Sequence, residues 1–134
     1  MDYVKYIVTP VTNGRDNPLS TRLKMTKGRL ISGFLFFPSG AEGTLHCRAR
    51  IGLTQILPFN TDETIRLDDC VINFGLGINL IEPPYEVEIL TFNESLLYSH
   101  ALTIGFSLIP KNKKLMDVLL RKAGEMNTEG YIKK

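Results

Sequence analysis

Ala101-Leu102-Thr103-Ile104-Gly105-Phe106-Ser107-Leu108 is the stretch whose reading decides the fold. Side chains along a strand point to opposite faces in turn. Leu102, Ile104, Phe106 and Leu108 therefore make one apolar face, and Ala101, Thr103, Gly105 and Ser107 make a second that is nearly flat. A run of period two, closed by Pro110, is a strand that buries one side.

The same pattern recurs along the chain. Residues 4–9, 19–25, 30–37, 44–56, 71–80, 85–92 and 97–109 read as strands, with 64–67 as a short further one. Both faces of 30–37 are apolar, which predicts a central strand covered on both sides. In 44–56, Leu45, Cys47, Ala49, Ile51 and Leu53 fall inward, while His46, Arg48 and Arg50 face out. In 71–80, Ile72, Phe74, Leu76 and Ile78 oppose Asn73, Gly75, Gly77 and Asn79, a second face of small residues. Asn13-Gly14, Thr26-Lys27-Gly28, Asp68-Asp69 and Asn93-Glu94-Ser95 supply turns.

Seven or eight regularly spaced strands with no strand–helix alternation predict an all-β fold. The expected architecture is a single antiparallel β-sandwich or jelly roll over residues 1–110. After Pro110, Leu115, Met116, Leu119, Leu120 and Ala123 recur at three- and four-residue steps. That spacing predicts a short amphipathic helix in a basic tail, residues 111–134.

The chain of 134 residues suits one domain, large enough to bury a core without a disulfide or metal. Net charge is +2. Residues 1–110 hold nine Lys/Arg and eleven Asp/Glu, so the body is −2 and the tail is +4. No apolar stretch is long enough to span a bilayer. The start, Met1 to Tyr6, lacks the basic and apolar regions of a secretory signal, so the protein is expected either to stay in the cytoplasm where it is made or to leave by assembly or lysis. Cys47 and Cys70 are expected as free thiols, although a disulfide between neighbouring strands stays open.

No constellation announces chemistry. Asp68 and Asp69 are sequence neighbours and do not converge across a cleft. Ser39 precedes no helix, so it is not a nucleophile elbow. His46 and His100 share no ligand spacing with the cysteines, so no metal or cofactor is expected. Gly75-Leu76-Gly77 lies within a strand and is no phosphate loop. Arg22, Lys24, Arg48 and Arg50 could offer a basic sheet face, but no aromatic residues interleave to stack bases. Nucleic acid is therefore not the expected partner.

The flat faces are the informative surface. Solvated strand faces carry long polar side chains, whereas small residues allow close packing of sheet on sheet or subunit on subunit. Ala101, Thr103, Gly105 and Ser107 are candidate interface residues on this ground. Tyr3, Tyr6, Pro58, Phe59, Leu115, Leu119 and Tyr131 join them as loop or terminal apolar groups without an assured place in the core.

Taken in order, Gly28…Phe36-Phe37-Pro38-Ser39-Gly40…Gly43…His46, Gln55-Ile56-Leu57-Pro58-Phe59-Asn60 and Asn93…His100…Pro110 resemble small β-rich proteins of tailed-phage and other mobile genomes. In size and texture residues 3–110 are also similar to capsid decoration and other accessory virion proteins. The resemblance implies a non-enzymatic structural protein of the virion. It would form a homo-oligomer, a trimer first, and attach to a larger assembly such as a capsid. The alternative is a ligand-binding β-module, for instance for carbohydrate, with Tyr85, Tyr98 and Phe59 as its platform; the absence of Trp weighs against it.

Overall fold

A computed structural model describes residues 1–111 together with 121–122. Eight strands follow one another: β1 (Asp2–Thr9), β2 (Leu19–Lys24), β3 (Gly28–Phe37), β4 (Leu45–Ile51), β5 (Thr54–Leu57), β6 (Cys70–Leu80), β7 (Glu86–Asn93) and β8 (His100–Pro110). They form two four-stranded antiparallel sheets, ordered β1-β8-β3-β6 and β2-β7-β4-β5. The pairs β1/β8, β2/β7, β3/β6 and β4/β5 are nested, as in one long hairpin rolled onto itself. This is the jelly-roll arrangement of a β-sandwich. The helix expected in the tail, with Leu115, Leu119 and Tyr131, lies outside the described residues.

The core forms where the inner faces meet. Leu102, Ile104, Phe106 and Leu108 of β8 are fully buried, as the alternation requires. Leu30, Leu35 and Phe37 of β3 join them, facing Leu45, Cys47 and Ala49 of β4 and Val87 and Ile89 of β7. Cys47 and Cys70 are free thiols, and burial pushes Cys47 up to about 12. One end of the core is polar. Thr9 and Thr91, both fully buried, share a hydroxyl hydrogen bond of 2.7 Å between the sheets.

Three expectations need correction. First, β3 is hydrogen-bonded on both sides, but its outer face is not covered by the described residues. A bulge between Leu30 and Ser32 shifts the phase of the strand. Leu30 therefore points inward along with Leu35 and Phe37, although they lie five and seven positions further on, which regular alternation would put on the opposite face. Ile31 and Phe36 are left exposed. Beyond the bulge Phe34 and Phe36 stand on the outer face and Leu35 and Phe37 on the inner one, so both faces are apolar and only the inner one is covered.

Second, 44–56 is two strands. Ile51 pairs with Thr54 across Gly52-Leu53, and Gly52 takes φ +59°, which a hairpin turn requires and glycine adopts without strain. Leu53, expected inward, is 98% exposed at the turn. Third, the strand expected at 64–67 is reduced to one bridge, Ile65 with Cys47. Asp68 instead caps the preceding loop: its Oδ1 accepts the amides of Gly40 and Glu42, which holds its carboxyl below the usual range.

Candidate interaction face

The small residues of β8 lie on the outer surface of the sheet β1-β8-β3-β6. Register places them in rows with their neighbours. Thr103 is flanked by Tyr6 on one side and by Phe36, then Val71, on the other. Gly105 is flanked by Val4 and by Phe34, then Asn73. Val8 stands beside Ala101. At the far end Ser107 Oγ donates to Asp2 Oδ1 and the face becomes polar.

Val4, Tyr6, Val8, Phe36 and Val71 are all exposed, Tyr6 to 63%. Two apolar ridges, β1 and β3, thus flank a row of small side chains, crossed at Gly105 by the Phe34 ring. Gly105 has a specific part in this. The Phe34 ring lies over it, and a Cβ there would clash with the Cε1 edge of that ring. Beyond Val8 and Ala101, the β7–β8 loop exposes Leu96, Leu97 and Tyr98. Scattered exposed apolar residues are ordinary; here they stand in adjacent rows across one sheet face.

Among the residues expected at interfaces, Tyr6, Ala101, Thr103, Gly105 and Ser107 come together on this face. Tyr3 does not: it packs inward against the core, because it alternates with Val4 and Tyr6. Pro58 and Phe59 sit in a separate loop. That loop is tied down by Gln55, whose Nε2 donates to the carbonyls of Pro58, Asn60 and Glu63 at 2.8–3.1 Å. Phe59 projects from it, 76% exposed. Of the platform aromatics, Tyr85 packs against the core, while Phe59 and Tyr98 are exposed. Sequence reasoning missed Val4, Val8, Phe34, Phe36 and Val71. Their signal was present: β1 and β3 carry large apolar residues on both parities.

The opposite sheet presents charge. Arg22 Nη1 donates to Glu86 Oε1 at 2.6 Å, and Arg50 Nε donates to Glu88 Oε1 at 2.5 Å. Ser20 and Arg50 together hold the Glu88 carboxyl below its ordinary range. The sequence suggested a basic face; the register lays the two arginines beside glutamates instead. These groups border an open cleft of about 640 Å³, with Leu53, Ile81 and Pro83 on its rim.

His46 faces outward as expected, yet only 3% of it is exposed. Its ring stacks on Phe92 at 4.3 Å, and Arg15 covers the Phe92 ring at 4.8 Å. Thr64 Oγ1 lies 2.6 Å from Nδ1, and Nε2 faces the Glu94 carboxylate. A hydroxyl, an imidazole and a carboxylate in series can serve as a nucleophilic relay. Here both ring nitrogens are engaged and the ring is closed to solvent. The series ties the loops that carry Arg15, Thr64 and Glu94 to β4.

Burial lowers the His46 pKa from 6.5, against the pull of Glu94 and with Arg15 and Arg66 nearby. Glu94 is itself held low: partial burial opposes this, but His46 and Arg15 outweigh it. The folded protein therefore keeps His46 neutral where the unfolded chain protonates it. Stability from this group is present above the ordinary histidine range and is lost as pH falls through it. Carboxylate contributions from Glu88 and Glu94 fade only at lower pH. Denaturant unfolding at about pH 7.5 and about pH 5.5 should show wild type weakened at the lower value. His46→Gln should flatten that difference; an unchanged slope would refute the assignment.

Among the described residues no three metal-ligating side chains cluster, and no helix is long and apolar enough to cross a membrane. No family model matches the chain, and no curated protein matches it.

Proposed function

We propose that this protein is a non-enzymatic structural module that self-associates and attaches to a larger assembly, as an accessory protein of a virion does. The observation that carries the reading is the outer face of β1-β8-β3-β6. Val4, Tyr6, Val8 and Phe36 stand exposed on either side of the small residues Ala101, Thr103 and Ser107, with the Phe34 ring over Gly105. A face of this kind gains by burial against a protein surface: about 25 cal/mol for each Å² of apolar area removed from water. A standard specific contact takes about 800 Å² per partner.

The jelly roll supports the virion setting by analogy alone, since the fold serves capsid subunits and lectins alike. The mechanism is adhesion. Rigid strands present the apolar ridges without an entropic cost of ordering, and the loop of Leu96 to Tyr98 extends the contact beyond the sheet.

Light scattering coupled to size-exclusion chromatography tests the reading. Wild type should run as an oligomer, a trimer being the expected closure, or should bind a larger particle from its source. The double variant Tyr6→Lys/Phe36→Lys should lose that association by about a hundredfold while keeping its β-rich circular dichroism. A wild-type chain that stays single at high concentration and binds no particle sinks the proposal.

A further inference from the structure

The four sheet edges of the sandwich are unequal. β1 carries Lys5, which alternates with Tyr3 and Ile7 on the inward parity yet is exposed. An inward-pointing lysine on an edge strand blocks another strand from adding to it. β2 is six residues long and carries Arg22 and Lys24. β5 has four residues and runs directly into Pro58. β6 has none of these three devices, although its ladder with β3 slips by one residue between Ile78 and Gly75. It runs eleven residues, Cys70–Leu80, with no proline and no Lys, Arg, Asp or Glu. Asp69 and Glu82 lie just outside its ends. In the order β1-β8-β3-β6 it is bonded, among the described residues, to β3 on one side only.

A second observation points the same way. The inward side chains of β6, Ile72, Phe74, Leu76 and Ile78, are only partly buried, whereas Leu30 and Leu35 on the neighbouring strand are fully buried. Among the described residues the core is therefore not closed along this edge.

We infer that β6 pairs antiparallel with β6 of a second copy of this chain, joining two four-stranded sheets into one of eight strands. The inference rests on the self-association proposed above; it adds an edge contact to the face contact and makes a twofold dimer, rather than a trimer, the closed unit. A strand with an odd number of residues that overlaps fully with its own copy has a residue at the centre, here Gly75. That register sets Ile72 against Ile78 and Phe74 against Leu76, apolar on the inner side throughout. A shift by one residue would set apolar side chains against the opposite face. The contact is self-complementary, as a twofold axis demands, and it opposes no like charges along the strand. It also makes the two outer apolar faces continuous. A foreign strand would satisfy the same main-chain groups, but neither its length nor its centre would be matched to β6.

Gly75 permits a direct test, because a Cβ built there meets nothing within 4 Å. Gly75→Lys and Gly75→Glu would each place like charges across the twofold axis. Each variant alone should dimerise about a hundredfold more weakly than wild type. Mixing the two should restore a dimer, read by light scattering. In wild type, amide exchange of alternate β6 residues should slow as protein concentration rises. That measurement needs no variant and stands even if a substitution impairs folding. A wild-type oligomer that both Gly75 variants leave intact, but that Tyr6→Lys/Phe36→Lys dissociates, overturns the edge contact and leaves the face reading in place. Concentration-independent β6 exchange, a single wild-type chain or open-ended aggregates also overturn it.

Discussion

Asn93→Ala is expected to lower stability by about 3 kcal/mol, far beyond what the removal of one amide at a strand end ordinarily does. Asn93 is 2% exposed at the end of β7. Its Nδ2 donates to the carbonyls of Thr9 and Tyr98 at 3.0 and 2.8 Å, and its Oδ1 accepts the Ser95 amide at 2.8 Å. Its own amide donates to the Asn13 carbonyl. One side chain therefore joins β1 to the β7–β8 loop, next to the buried Thr9–Thr91 pair. Alanine leaves those three main-chain groups without their partner, and leaving a buried polar group unsatisfied costs about 1–3 kcal/mol each before water relieves the outer ones. Asn93→Asp should do no better, because it turns a carboxylate oxygen toward two carbonyls. Urea unfolding measures the effect as a fall in midpoint at constant slope. A loss under about 1 kcal/mol would show that water already serves these groups.

Phe106→Ala should destabilise the sandwich by about 3–5 kcal/mol. Phe106 is 1% exposed and meets Phe74 edge to face, with ring centroids 5.8 Å apart. Between their strands lies β3, and the residue level with both rings is Gly33. The two rings meet because Gly33 has no side chain: a Cβ there would strike the Phe74 ring and the Gly105 carbonyl. Gly33→Ala should therefore cost about 1–3 kcal/mol by overpacking. Combined with Phe74→Leu, Gly33→Ala should cost less than it does alone, since the smaller side chain yields part of the space. A double-mutant cycle measures that coupling; strict additivity would mean that the Gly105 carbonyl alone sets the penalty.

Much of the fold is written in local alternation. The period of two in 101–108 and 71–80 fixed both the strands and the side that each turns inward, because pleating leaves a side chain no third direction. Leu102 to Leu108 are buried as that period demands. Local pattern was weaker where one residue alters phase. The bulge at Ile31 and the turn at Gly52-Leu53 each depend on backbone conformation, and both broke the reading of otherwise regular runs.

Alternation carries no information about neighbours. The nested pairing brings β1 against β8 and β2 against β7, partners separated by most of the chain. That pairing alone placed Tyr6 and Phe36 on either side of Thr103, laid Glu88 between Arg22 and Arg50, and enclosed His46 between Thr64 and Glu94. The sequence by itself determined that Ala101, Thr103, Gly105 and Ser107 form one flat face. The tertiary structure decided that this face points outward, between two apolar ridges, and that β6, among the described residues, is an edge strand paired with β3 alone. The physical reason is that side-chain periodicity is a property of one strand, whereas outside, inside and edge are properties of the sheet order.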